Sequence, residues 1–552
     1  MKADYMKKHI LILGGALMQK PAVLAARSLG CKITIADANP DVLCRLLCDR
    51  FEHADLKDTE KIVGLARRLS AEEGLDAVFT AGTDFSYAVS CAAEACGLAA
   101  HSPAAAKNAS DKPLMRSCFK KACVPSPHFI EIGGQYGVSE DAAADDKTLC
   151  SFLHAADLSF PLVVKPCDNM GARGCRLVRS QEEFGAALKD AVRYSRTGRA
   201  IAEEYMEGPE FSIDAFVFDG ELTVTGFADR HIFFPPYFIE MGHTIPSCAD
   251  DKSRLALFKA FADGVRSLGL SYGQAKADIK LTPSGPMIGE IAARLSGGYM
   301  SGWTYPYASD IDLTREAVRL ALGEKPSALL DARVKIGESS DGSMPVFEVP
   351  CKRTCAERAW ISIPGTVSEI LYAEKARASA GVKDFFPRAE KNADVVFPTN
   401  NVEKAGNVLA VAPDYKSASL YAAEAVQTVF LRLQSGKDAT KEFLRMRLDT
   451  PFPPSAFSLP AEIIEKLNAL PEKADSAASC AKLELLDFLR DYAGAADWNG
   501  RTLTETVELY NELCPPSETG RYLNLKDFWH CLIRGGLQGA VFYSDSNDGE
   551  LL

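Results

Sequence analysis

The sequence predicts an α/β protein of several domains, and three stretches carry that expectation. Residues 9 to about 100 alternate apolar runs with helix-spaced segments, the pattern of a parallel sheet with right-handed crossovers. Phe160-Pro-Leu-Val-Val-Lys165 is an apolar run ending on a lysine, and a loop containing Gly171 and Gly174 leads to a returning strand, Cys175-Arg-Leu-Val178. Lys276 to Gly298 reads as a hairpin: Ala277 to Leu281 and Met287 to Ile291 are its arms, and Thr282-Pro-Ser-Gly-Pro286 is its turn.

In the first stretch, His9 to Gly14 and Lys32 to Asp37 are buried strands, and Ala77 to Thr80 is a later one followed by the turn Ala81-Gly-Thr-Asp84. An acid closing the second strand invites a dinucleotide-binding reading, but the first turn lacks G-x-G-x-x-G. A small Rossmann-like domain over residues 1–105, lining a substrate cleft, is expected instead. Ser110 or Asp111 can cap the next helix, which puts Lys112 in its first turn. A lysine there opposes the helix dipole, so a nearby anion would account for it.

The loop after Lys165, from Asp168 through Met170 and Gly171 to Gly174, can lay backbone N–H groups over phosphates, although it is no Walker loop. Ala200 to Met206 is a strand that exits into Glu207-Gly-Pro-Glu210, and it suits a purine and ribose cradle. On the hairpin, Asp278 and Glu290 lie on opposite arms at similar distances from the turn, so antiparallel pairing brings two carboxylates together. A hard cation such as Mg2+, shared with nucleotide phosphates, is the economical way to hold them there. Arg294 would face the same site and can grip an anion with two hydrogen bonds, while Gly297 and Gly298 let the backbone approach a ligand.

At 552 residues the chain has room for three or four domains and a large core. A net charge of -12 without a basic block argues against nucleic acid or an anionic membrane as partner. No apolar run approaches the roughly 20 residues a membrane span needs. The sixteen cysteines include no C-x-x-C pair and read as reduced thiols of a cytoplasmic protein.

Taken in order, Lys112, Lys165 with its glycine loop, Glu203-Glu-Tyr-Met-Glu-Gly-Pro-Glu210, Asp278, Glu290 and Arg294 resemble the ATP-grasp superfamily. In pattern the chain is similar to biotin carboxylase, D-alanine–D-alanine ligase and the L-amino acid ligases over residues 1 to about 430. The resemblance implies ATP as cofactor, with Lys112 and Lys165 on its phosphates and Asp168, Met170, Gly171 and Gly174 in a flap over them. Glu203 and the Met206 backbone, with Tyr205 beside them, would meet adenine, and Glu210 the ribose. Asp278 and Glu290 would hold Mg2+ or Mn2+, two ions in all, and Arg294 and Lys165 are the catalytic candidates. Many relatives carry Asn where this chain has Ala292, so one oxygen ligand is missing.

A carboxylate becomes electrophilic once phosphorylated, and that transfer needs charge neutralisation more than covalent help. The expected activity is therefore a carboxylate–amine ligase working through an acyl phosphate, with small-molecule substrates that include an amino acid. The segment Arg230 to His243 is aromatic and proline-rich and resembles the substrate loop of L-amino acid ligases. Glu240 and His243 would contact the amino acid there, beside an aromatic wall. Ser296, Gly297 and Gly298 could offer N–H groups to a tetrahedral intermediate. Two other readings stand beside this one: bicarbonate activation, as in carboxylases, and a non-catalytic ATP-binding protein.

The resemblance makes the ATP-grasp part α+β and assigns it residues 106–330, followed by a C-terminal α/β lobe at 331–435. Strands are expected at 359–367, 394–397 and 407–411, and a helix at 417–433. After the breaking Ser435-Gly-Lys-Asp438, residues 436–552 are expected to form an accessory, mostly helical domain, with Cys480 to Tyr492 as one of its helices. A homodimer is open.

Overall fold

The computed structural model describes residues 7–133, 153, 156–471, 482–515 and 524–546. They fall into two compact units. The first comprises Met1–His231, His243–Cys355 and Ala412–Tyr415; the second comprises Ile232–Gly242, Ala356–Val411 and Lys416–Leu552.

The first unit begins with the expected parallel sheet. Its strands stand in the order Arg50–His53, Lys32–Asp37, His9–Leu13, Ala77–Phe79. His9–Leu13 is central and wholly buried, which is why it reads as an unbroken apolar run. Helices Lys20–Ser28, Thr59–Glu73 and Ser86–Ala95 connect and cover it.

Two antiparallel sheets follow. The smaller has the order Phe129–Ile132, Ala200–Glu204, Leu162–Pro166, Arg176–Val178, and helix Gln181–Tyr194 closes its core through Phe184, Leu188 and Ala191. In the larger, Gly285–Ala292 pairs with Gly273–Thr282, then Glu210–Phe218, then Glu221–Phe233. Helix Asp251–Leu268 packs Phe258, Phe261 and Val265 against its apolar face, leaving the opposite face for polar residues.

The second unit is built on one hydrophobic core. That core joins Trp360, Phe385, Phe397 and Phe430 to Phe443, Phe457, Tyr510, Phe528 and Trp529. Its last helix, Leu525–Asp545, is buried along nearly its whole length. The expected boundary at 435/436 therefore does not separate two cores, and the expected start at 331 falls early, since residues to Cys355 stay with the first unit. The run at 359–367 is two strands, Thr354–Trp360 and Gly365–Leu371, and the helix expected at 417–433 ends at Thr428 before strand Phe430–Leu433. Of the helix expected from Cys480, residues 480–481 lie outside the described ones, and only Asp487–Tyr492 is helical, as a 3-10 turn. Among the described residues no helix is long and apolar enough to cross a membrane.

Candidate functional site

Helix Lys112–Lys121 starts on Asp111, whose carboxylate accepts the Leu114 N–H at 3.3 Å and pairs with Arg199 at 3.0 Å. This cap sets Lys112 in the first turn and Arg116 one turn later on the same face. Lys112 Nζ donates to Asn169 O at 3.0 Å and lies 3.7 Å from Glu290 Oε2. Burial would pull its pKa down, but Glu290, Asp84 and Glu203 outweigh that and raise it.

Glu203, expected to meet adenine, is only 2% exposed and is instead clamped between cations. Arg116 Nε meets one carboxylate oxygen at 2.8 Å and Lys165 Nζ the other at 2.6 Å. Burial pushes the Glu203 carboxyl up; the charges of Arg116 and Lys165 prevail and hold it below the usual range. Arg116 also donates to Gly289 O at 2.6 Å, which ties the helix to the carboxylate hairpin.

On that hairpin Asp278 and Glu290 are direct cross-strand partners. Arg230 Nη1 lies 2.7 Å from Asp278 Oδ1, and Lys276 forms an ion pair with Asp278 Oδ2. Lys276 stands opposite Ala292 in the register. Burial raises the Glu290 carboxyl, but Lys112, with Lys276 and Lys165, lowers it on balance against Asp278. Facing carboxylates of this kind fit a hard divalent cation that shares its shell with phosphates. Among the described residues no group of three or more His, Cys, Asp or Glu could hold a metal.

The next strand face continues the charge pattern. Glu210 pairs with Arg230 at 2.5 Å and lies 3.7 Å from Lys280, each its register partner on a neighbouring strand. Lys280 Nζ also donates to Met206 O at 3.1 Å and sits over the Tyr205 ring, 5.1 Å from its centroid. The stretch from Glu203 to Glu210 is thus held by Arg116, Lys165, Arg230 and Lys280.

Three expectations need correction. The Asp168 carboxylate, expected in the flap over the phosphates, accepts from Ser195 Oγ, the Arg196 N–H and Thr197 Oγ1 at 2.8, 2.9 and 2.8 Å. A carboxylate beside phosphates would be repelled, and here it anchors the loop instead. Within that loop the Met170 N–H donates to Asn169 Oδ1 at 2.8 Å, Gly171 has φ +71°, and a Cβ on Gly174 would lie 3.0 Å from Asp190 O.

Secondly, Ser296 does not present a free N–H. Its N–H and Oγ both donate to Asp214 Oδ2, at 3.1 and 2.7 Å. Gly297 abuts Gly82 of the N-terminal turn, where an added Cβ would stand 3.0 Å from Gly82 O, and Gly298 has φ +61°. Arg294 is buried and donates to Leu295 O at 3.0 Å, while its Nε has no hydrogen-bond partner among the described residues.

Thirdly, Glu240 and His243 do not sit on a loop. They belong to strand Ile239–Ile245, where residues three apart point to opposite faces. They also belong to different units. His243 Nε2 meets Thr304 Oγ1 at 2.8 Å, whereas the Glu240 backbone is held by Asn401 and Lys404. The expected aromatic wall is largely used in packing: Phe234 stacks edge-on against Phe397, and Tyr237 lies 4.7 Å from Phe452.

Arg116, Arg230, Lys276, Lys280, Asn169 and Asp214 escaped the sequence reading. Some signal existed. Arg116 follows Lys112 by one helical turn, and Lys276, Asp278 and Lys280 alternate along one strand face, as do Glu210, Ser212 and Asp214. Arg230 had none, because its partners Glu210 and Asp278 lie on two other strands.

Comparison with known proteins gives domain matches and likenesses of fold. Residues 158–302 match the ATP-grasp domain, and residues 359–434 match the L-amino acid ligase C-terminal domain 2. An uncharacterized protein, y4rH, of Sinorhizobium fredii is 24% identical over 436 residues, 78% of this chain and 84% of that one. Carnosine synthase 1 of Gallus gallus is 27% identical over 342 residues, 58% of this chain; the match spans only 36% of the synthase. The crystal structure of an L-amino acid ligase from Bacillus licheniformis superposes with a TM-score of 0.63 at 20% identity, covering 78% of this chain and all of that one, a likeness of fold.

Proposed function

We propose, for a chain that carries an ATP-grasp domain and an L-amino acid ligase C-terminal domain, that it is an ATP-dependent carboxylate–amine ligase. The observation that carries this reading is the direct pairing of Asp278 with Glu290, flanked by Lys112, Lys276 and Arg230. Similarity to a carnosine synthase and to the ligase C-terminal domain supports an amino acid as at least one substrate.

In this reading a substrate carboxylate oxygen attacks the γ-phosphorus of ATP, ADP leaves, and an acyl phosphate forms. The amine then attacks the acyl carbon, the tetrahedral adduct collapses, and phosphate departs carrying the proton the amine gives up. Lys112 and Lys165 offset the charge of the phosphates, and Glu203 holds Lys165 in place for that task. Met206, Tyr205 and Glu210 border the nucleoside, with Lys280 and Arg230 fixing their positions. Asp278 and Glu290 would hold Mg2+ or Mn2+, two ions, which when bound neutralise charge on the transferring phosphoryl group. Arg294, whose Nε has no hydrogen-bond partner among the described residues, takes the acyl phosphate or substrate carboxylate.

The test is ADP release with Mg2+ and ATP across a panel of single amino acids and pairs. Release that requires two amino acids, or one amino acid plus another amine or acid, supports the ligase. Silence across the panel with ATP still bound would reject the amino-acid assignment. Glu290→Gln should lower kcat by about 100-fold or more while retaining part of the ATP affinity. Unchanged turnover would remove Glu290 from the metal role.

A further inference from the structure

Asp214 is a carboxylate that the reaction above does not use. It lies in the middle of strand Glu210–Phe218, on the same face as Glu210, and is wholly buried. One oxygen, Oδ2, receives both the N–H and the Oγ–H of Ser296. The other, Oδ1, has no hydrogen-bond partner among the described residues, and neither has the neighbouring Ser212 Oγ. The charged groups bearing on it are Lys276, its cross-strand partner, and Arg294; its partner on the other side is Gly226, which carries no side chain. Burial of an incompletely satisfied carboxylate is unfavourable, and a neutral acceptor in its place would hold Ser296 only through weaker, uncharged hydrogen bonds. A charge at this position therefore has to be explained by what it holds.

Ser296 opens a turn that meets two other parts of the first unit. Its carbonyl accepts from Ser301 Oγ at 2.6 Å, and the next residue, Gly297, lies against Gly82. Gly82 belongs to the turn 81–84, pinned by Gln19, which accepts the Ala81 N–H at 2.9 Å and donates to Thr83 Oγ1 at 3.1 Å. Asp214 thus sits at the root of a chain of contacts that sets the backbone just beyond Arg294.

We propose that Asp214 is a positioning residue of the ligase reaction: by gripping Ser296 at two atoms it sets the turn 296–298, and with it the Arg294 guanidinium, at the substrate end of the site. The inference rests on the ligase reading and adds a residue to it. Asp214 touches no reacting atom; it acts through Ser296.

The experiment uses the full-length protein and three variants, Asp214→Asn, Ser296→Ala and the double variant, with substrate-dependent ADP release followed from pH 5 to 9 and ATP affinity measured by calorimetry. The expected result is a ten- to hundredfold fall in kcat for Asp214→Asn, with ATP affinity within twofold of the parent. Burial pushes the Asp214 carboxyl up to about 6, so the parent should lose kcat as the pH drops through that value. Asp214→Asn should lack this acid limb. The two substitutions should combine less than additively, because they break one linkage.

Asp214→Asn with parental kcat and an unchanged acid limb would overturn the proposal, as would full additivity in the double variant. If Asp214→Asn does not fold, Ser296→Ala decides alone: a kcat loss of tenfold with unaltered ATP affinity supports the linkage, and parental kcat overturns it. A parent protein that binds ATP but turns over no substrate would overturn the ligase reading and this inference with it, an outcome distinct from a working parent matched by its variants.

Discussion

Two buried carboxylates of the first unit are stabilised in opposite ways. Glu203 has a cation on each oxygen and is held ionised; Asp214 has only Ser296 on one oxygen, and burial prevails. Arg116→Met should therefore leave Glu203 short of a partner and destabilise the first unit by about 3 kcal/mol, measurable as a lower denaturation midpoint. For Asp214 the sign is reversed. Its carboxyl stands at about 6 when folded against an ordinary 3.8, so its favourable contribution is complete below 3.8 and is lost as the pH rises through 6. Above that range its ionised form costs about 3 kcal/mol by linkage. Asp214→Asn should accordingly raise the midpoint at pH 7.5 and give no gain near pH 4, even as it lowers turnover. Ala292 marks a third residue-scale choice. Ala292→Asn would place an amide oxygen beside Glu290, and if Glu290 holds the metal as proposed it should tighten Mn2+ binding in the presence of a non-hydrolysable ATP analogue, read by electron paramagnetic resonance.

At the scale of elements, the hairpin Gly273–Thr282 and Gly285–Ala292 was legible because its arms and its turn carry separate, concordant signals. Its pairing of Asp278 with Glu290 followed from counting outward from the turn. The bend at Glu207-Gly-Pro is a tighter case. Gly208 has φ +125°, and a Cβ there would stand 2.1 Å from Leu281 O. Gly208→Ala should push the Tyr205–Met206 segment away from Lys280 and weaken ATP binding about tenfold, to be read by calorimetry. Strand Ile239–Ile245 shows where local reading fails. Its prolines and aromatics look like a loop, but Pro235 and Pro236 precede the strand and Pro246 follows it. Once a strand is formed, the two-residue period sends Glu240 and His243 apart.

For the whole molecule, the last hundred residues are part of a core and not an appendage. Arg432 pairs with Asp545 at 2.6 Å, Gln538 donates to Leu431 O at 3.0 Å, and Arg534 stacks on Phe443 with 4.4 Å to the ring centroid. Phe528 and Trp529 are fully buried in the same cluster as Trp360 and Phe430. A chain ended at residue 435 should therefore expose a large apolar face. It should be recovered as aggregate or be degraded rapidly by protease, whereas an independent accessory domain would leave a stable remainder.

The sequence by itself determined the parallel N-terminal sheet, the lysine and glycine hairpin, the paired carboxylates and the family these motifs resemble. Each of these is a local pattern whose period or turn chemistry survives without neighbours. Only the tertiary structure decided that Glu203 binds Lys165 and Arg116, that Asp168 anchors its own loop, that Asp214 holds Ser296, and that residues beyond 435 complete a core. The reason is physical. A charged side chain withdrawn from water takes whichever partner the packing brings within hydrogen-bonding distance, and for these residues the partners lie between 27 and 87 positions away along the chain.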